Sequence, residues 1–397
     1  LEYIFPRVAA AHPFDDGSAA ALFQSITKTA ETLNGDADFY NKIMSGFVKD
    51  WPSFKELVLG PFKFPKHPID AAKLGYYALS SSHQFAKKHL HNKQSRGFWA
   101  GMAAHSMQPL TNLATSGFAL MLLLLAHLKG WSIIKGGSQK LADALVAYFV
   151  SLGGKIETET EINSLKQLPS SHAILFDITP KQLLKIAGHK FSSLYQHQLK
   201  KYRYGMGVFK IDWALDSPTP FINNECKNAG TIHLGNTFEE IALSEKMNAE
   251  NKHQEKPFVL FVQPSLFDDT RAPEGKHTAW AYCHVPNGSL ENMTNKIEQQ
   301  VERFAPGFKE RILAKHVMNT NELETYNANY IGGDINGGVQ DIKQIFTRPA
   351  LRFSPYKTSA KGIYICSSST PPGGGVHGMC GYHAARRALK DIFRINI

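Results

Sequence analysis

The residues with the most legible chemistry stand near the C-terminus of the 397-residue sequence, in TPPGGGVHGMCGYHAARRAL at 370–389. Gly373, Gly375 and Gly378 fit the spacing G-x-G-x-x-G, after the apolar run GIYIC and before a segment of helical character. A helix N-terminus presents unpaired backbone N–H groups and the positive end of the macrodipole, and consecutive glycines let a ligand come close to those amides. An anionic or electron-rich group is what such a bend would serve. A second glycine pair, Gly136 and Gly137 in IIKGGSQKLADAL, also feeds a helix. The plainer alternative for either motif is a tight corner that binds nothing.

A dinucleotide fingerprint opens a strand–helix–strand unit, with an acid for the ribose about 20 residues on. Nineteen residues follow Gly378, enough for the helix but not for a second strand, so the bend is expected to be a ligand-facing turn of another kind. His377 sits at the helix start, where the positive dipole end favours the neutral imidazole; it either polarises or accepts a proton from a ligand, or packs and bonds to backbone. Asp177 is either a strand-end residue facing the ligand or a helix-entry cap. His105, between small and apolar residues in GMAAHSMQP, is expected to be a satisfied core histidine. No Ser/His/Asp constellation and no metal-ligand spacing is present, and no metal site is expected.

The elements that must position these residues follow from periodicity. Residues 18 to about 128 have mostly helical pattern, broken by LGPFKFPKHP at 59–68. The longest apolar stretch, FALMLLLLA at 118–126, is well short of the roughly 20 residues of a spanning helix and is expected to be a core helix, with a lipid-facing entrance as the alternative. Ser138 is placed to cap a helix whose Leu141, Leu145, Phe149 and Leu152 recur at helical spacing, with Gly153 and Gly154 ending it. KIETETEI at 155–162 alternates like a half-exposed strand. HAILFD suggests a strand buried on both faces, followed by a helix entered through Thr179 and Pro180. GVFKIDWAL, KPFVLFVQPS and HTAWAYCHV are β-rich and joined by loops, which suggests an antiparallel sheet, and 293–312 is helical with a break at Pro306 and Gly307.

The chain is longer than one core usually supports, so two domains are expected. Material of α/β type at 131–190 is interrupted by a β-rich section at 191–345 and resumes at 346–397, while 1–130 is mainly helical; a discontinuous nucleotide domain with an inserted second domain explains that order. The formal net charge of +10 is dispersed, which argues against a nucleic-acid groove. Four separated cysteines, with no C-x-x-C pair, predict a reduced cytoplasmic setting.

GIYICSSSTPPGGGVHGMCGYHAARRAL resembles the closing motif of the phytoene desaturase-like FAD-dependent oxidoreductases, which are related to flavin amine oxidases. GGSQKLADALVAYFVSLGGKIETETEINSL is similar to that family's internal glycine-pair segment, and YRYGMGVFKIDWAL and NYIGGDINGGVQDIKQIFTRP also resemble its bacterial members. The resemblance implies an α/β fold: a discontinuous FAD-binding domain of glutathione reductase-like type with an inserted antiparallel-sheet plus helical substrate domain. It implies FAD as cofactor, with Gly374, Gly375, Val376, His377, Gly378 and Met379 along the flavin and its ribityl chain and Gly136 and Gly137 near it. Asp334 would lie on the substrate side, or form an Asx turn; it and His377 are the catalytic candidates. The implied reaction is hydride transfer from a small apolar substrate to the flavin; peripheral membrane contact is a separate expectation, from the apolar stretch at 118–126. The family's N-terminal dinucleotide-binding strand and glycine turn have no counterpart here, so the sequence is expected to begin inside the family's chain. The alternative is a non-catalytic fragment that serves as a binding or scaffold protein.

Overall fold

The computed structural model describes residues 1–396. Strands of three residues or more are β1 (Val8–Pro13), β2 (Ala19–Leu22), β3 (Ile174–Phe176), β4 (Gly207–Leu215), β5 (Ala229–Leu234), β6 (Val259–Val262), β7 (His277–Val285), β8 (Ile312–Met318) and β9 (Ile363–Ile365). Helices of eight residues or more are α1 (Ala37–Val58), α2 (Pro68–Ala78), α3 (Ser82–His89), α4 (Lys93–Ala104), α5 (Thr115–Lys129), α6 (Gln139–Ser151), α7 (Pro180–Ala187), α8 (Ser193–Lys200), α9 (Phe238–Ala249), α10 (Thr294–Phe304) and α11 (Met379–Ala388).

Seven strands form one sheet in the order β8-β4-β7-β6-β5-β1-β2, antiparallel except for the β5–β1 pair. The antiparallel expectation for 207–285 is met, and the sheet also takes in the N-terminal strands β1 and β2. Alternation within GVFKIDWAL puts Phe209, Ile211, Trp213 and Leu215 on one face, where they pack with Phe261, Cys283 and the α10 residues Ile297, Val301 and Phe304. The opposite face, at its β1–β2 end, lies under the helical layer of α1 to α5 and α9. Leu120, Leu123 and Leu124 of α5 are fully buried there, which makes FALMLLLLA a core helix. Among the described residues, no helix is long and apolar enough to cross a membrane.

The second sheet is the parallel pair β3–β9, registered Ile363 to Ile174 and Ile365 to Phe176. Leu183 and Ala187 of α7, with Tyr195 and Leu199 of α8, cover Ile363 and Ile365. Thr179 is the N-cap residue of α7 and Pro180 its first residue, as expected. On the other side Leu175 is 39% exposed while its neighbour Tyr364 is 1% exposed, so burial on both faces holds for β9 but not for the HAILFD strand β3.

Two further expectations, the strand at 155–162 and the Ser138 cap, are not met. Residues 155–162 form no strand, because among the described residues no chain segment pairs with their backbone groups. Helix α6 forms where its periodicity places it and ends at Gly153, whose φ is +87°. None of its residues is buried, however, and the Ser138 side chain makes no capping bond.

Candidate functional site

Strand β9 runs into Cys366, whose N–H donates to the Phe176 carbonyl at 2.9 Å and so extends the parallel ladder by one bond. The chain then turns through Ser367–Thr370 and Pro371–Gly378 into α11. The glycine bend therefore lies beyond the carboxyl end of a parallel strand pair, the position where open α/β sheets take ligands. Asp177 follows β3 at the same end.

The bend has a braced inner side and an open outer side. Tyr356 Oη donates to the Pro371 carbonyl at 3.0 Å, and Cys380 packs its thiol against the Thr370 and Gly373 carbonyls. A Cβ at Gly373 would sit 2.8 Å from Gln340 Oε1, and one at Gly374 3.1 Å from Asn336 Oδ1, so polar side chains press on the backbone where only glycine fits. Gly375, Val376 and Gly378 are exposed, Val376 by 94%. Among the described residues the N–H groups of Gly374, Gly375 and Val376 have no acceptor. These free donors, next to the N-terminus of α11, fit an electron-rich group of the kind a flavin ring presents.

His377 holds the bend's shape. Its Nδ1 accepts the Met379 N–H at 3.0 Å, and its own N–H donates to Gly375 O at 3.1 Å. Burial lowers its pKa, while the Gly373 carbonyl pulls the other way. A neutral ring with Nδ1 committed to the first turn of α11 is the backbone-bonded role weighed from the sequence.

Asp334 is 1% exposed and works on three backbone amides at once. Oδ2 accepts from Gly205 at 2.7 Å and Gly338 at 2.9 Å, and Oδ1 accepts from Asn336 at 2.7 Å. Burial raises its pKa, and these three donors together with the Arg348 charge oppose the rise. The Asx-turn role is thus present, enlarged into a clasp on Gly205 and the 334–338 loop, which carries Asn336 to the bend.

Gly136 and Gly137 are positioned differently. The Gly136 N–H donates to Asp268 Oδ2 at 2.7 Å, Arg271 Nη1 donates to the Gly136 carbonyl at 3.0 Å, and the Gly137 N–H donates to Ile134 O at 2.9 Å. Both amides of this pair are occupied within the protein, unlike those of the C-terminal bend. The recorded neighbours of the two glycine turns are different residues.

His105 belongs to a buried imidazole group. Its Nε2 lies 2.9 Å from His233 Nε2, and His12 Nε2 donates to the Asn236 carbonyl at 2.6 Å. Burial lowers the pKa of His12 and His105 to about 4. His105 is half-buried and paired as expected of a packed histidine, whereas Nδ1 of His12 and of His233 is buried without a partner.

A small buried apolar cluster adjoins the bend through one residue. Asn336, against Gly374 on one side, donates its Nδ2 to Met107 Sδ at 3.0 Å on the other. Met107 packs with Met206, Val208 and Leu323, and Tyr282 of β7 flanks the group. A cleft of about 300 Å³ opens beside Met107 and Met206, and polar side chains, among them Asn112, Arg203, Asn248, Asn287 and Asp341, make up most of its lining. Among the described residues no three His, Cys, Asp or Glu side chains gather as a metal ion would require, and all four cysteines are unpaired.

Sequence reasoning missed Asn336, Gln340 and Arg348, which back the bend. Their signal is weak, because each is an ordinary polar residue in a loop-rich stretch, and only the fold brings that stretch to Gly373.

No family model matches the chain. It is 26% identical over 325 residues to the pyridine nucleotide-disulfide oxidoreductase domain-containing protein 2 of Mus musculus, covering 70% of this chain and 55% of that one. It is 26% identical over 278 residues to the neurosporene-forming phytoene desaturase of Rhodobacter capsulatus, covering 62% and 51%. The chain spans about half the length of the curated relatives it matches. Its fold matches a solved oxidoreductase from Methanosarcina mazei with a TM-score of 0.62 at 13% identity, over 98% of this chain and 82% of that one. A putrescine oxidase redesigned in its cofactor binding matches with a TM-score of 0.59 at 12% identity, over 99% and 83%. The chain is phytoene desaturase-like in sequence, and its α/β fold is the one it shares with these oxidoreductases.

Proposed function

We propose that the protein is an FAD-dependent oxidoreductase that removes hydride from an apolar substrate. The observation that carries this reading is the row of free amides at Gly374, Gly375 and Val376, beside the N-terminus of α11 and beyond the carboxyl end of the β3–β9 pair. Bound there, the flavin supplies the hydride acceptor, a chemistry no side chain of the protein provides.

The protein's part is binding and orientation. The bend amides would hold the electron-rich edge of such a ring, and because they are fixed before binding they would need little reorganisation to support negative charge there. His377 and Asn336 keep the bend in shape from either end. Gly136 and Gly137, whose amides are already satisfied, serve only as side-chain-free surface. Met107 and Met206, packed with Tyr282, are the apolar side chains nearest the bend that a substrate could meet. Asp334 acts through the loop it clasps, and no acid or base is assigned to it.

The test is purification followed by FAD titration. The expected result is a yellow protein that retains about one flavin per chain, with a melting temperature that rises as FAD is added. A colourless protein that shows neither a flavin signal nor a thermal shift with added FAD would overturn the reading.

A further inference from the structure

The side chain of Arg348 is the largest fully buried one in the protein, at 1% exposure, and it is only partly satisfied. Nη2 donates to the Ser368 carbonyl at 2.7 Å and approaches the Gly337 carbonyl at 3.4 Å. Nε and Nη1 have no partner. Nη1 lies 3.4 Å from the place a Cβ would take at Gly373, so an unfilled donor is directed at the base of the glycine bend.

Arg348 has no carboxylate within ion-pair distance among the described residues. The buried acid that shares its surroundings is Asp334, whose two oxygens are committed to the amides of Gly205, Asn336 and Gly338. A buried guanidinium with two idle donors and no ion pair costs several kcal/mol unless something compensates it. The N-terminus of α11, at the other end of the bend, adds positive potential. Two independent features thus make this corner electropositive; within the protein the Arg348 charge acts on the Asp334 carboxylate, whose pKa it lowers without a hydrogen bond between them.

We propose that Arg348 balances negative charge on the ligand bound at the glycine bend. The inference rests on the flavin reading and specifies it. The ligand group facing the bend is the part of the ring system that becomes negative on reduction, and Arg348 makes that state more favourable. Arg348 is a positioning residue here, since it acts through the electrostatics of the bend and takes no part in bond making.

The experiment compares wild type with Arg348→Lys, which keeps a cation, and Arg348→Gln, which keeps a donor for the Ser368 and Gly337 carbonyls but no charge. Each is loaded with FAD and titrated with sulfite. Sulfite uses its lone pair to form a bond to N5 of the oxidised ring, and the displaced electron pair settles as negative charge over N1 and O2, so its affinity reports how well the site supports that charge. The expected result is that Arg348→Gln weakens sulfite binding about tenfold or more while Arg348→Lys stays within about threefold of wild type. Equal sulfite affinity in Arg348→Gln and wild type, or an equal loss in both variants, would overturn the inference and leave Arg348 a purely structural residue. Failure of the wild type to bind FAD would instead overturn the flavin reading itself.

Discussion

Individual side chains in this protein divide into those that brace a turn and those that carry an unusual charge state. Asp334 belongs to the first group. Asp334→Ala removes the acceptor of three backbone N–H groups and is expected to cost about 3 kcal/mol, seen as a lower melting temperature, whereas a purely ligand-facing carboxylate would leave stability almost unchanged. His12, His105 and His233 belong to the second group. Their rings bind a proton at about 6.5 when unfolded, but at about 4 when folded for His12 and His105, and lower than usual for His233, because burial disfavours the cation. The unfolded chain therefore binds more protons between those values, and the stability these rings contribute is complete above about pH 6.5 and falls as pH drops towards 4. For His12 alone the difference is worth about 3 kcal/mol at the acid end. Denaturant melts between pH 7 and 4 should show this loss, and a stability that rises on acidification would contradict it.

At the scale of elements, burial decides what each helix is worth. Leu123 of α5 is fully buried, and Leu123→Ala is expected to cost about 2–5 kcal/mol. Leu145 of α6 is 62% exposed, and Leu145→Lys should change stability by no more than about 0.5 kcal/mol. Chemical denaturation of both variants checks the contrast; a large loss in Leu145→Lys would mean that the α6 face is covered. The same contrast explains what the sequence could and could not reveal. Helix α6 was legible because 3.6-residue periodicity and a terminal glycine pair are local signals, yet periodicity says nothing about whether a partner surface exists. KIETETEI has the alternation of a strand, but a strand exists only when a neighbour takes its backbone bonds. Strands β1 and β2 went unseen because VAAAHP and AAAL are rich in alanine, which is depleted in strands, and β1 pairs with β5 from the other half of the chain.

For the molecule as a whole, the proposed function assigns different parts to two sheets of different kind. On that reading the seven-stranded sheet would supply the substrate side, and the small parallel pair supplies an end at which a bend and a helix present bare amides. The bend itself was legible from its glycines, since a triple glycine before a helical segment needs no tertiary information to stand out. Its electrostatic backing was not, because arginine is rarely buried, and the burial of Arg348 depends on loops at 337, 368 and 373 that converge only in the fold.

The most direct test of the central claim is amide hydrogen exchange of the protein with and without FAD. The account predicts that the amides of Gly374, Gly375 and Val376, which exchange freely without ligand because they have no acceptor, become protected when FAD is present, with little change at Gly136 and Gly137. FAD binding that leaves the exchange of Gly374–Val376 untouched would contradict it, because the flavin would then be held somewhere other than the glycine bend.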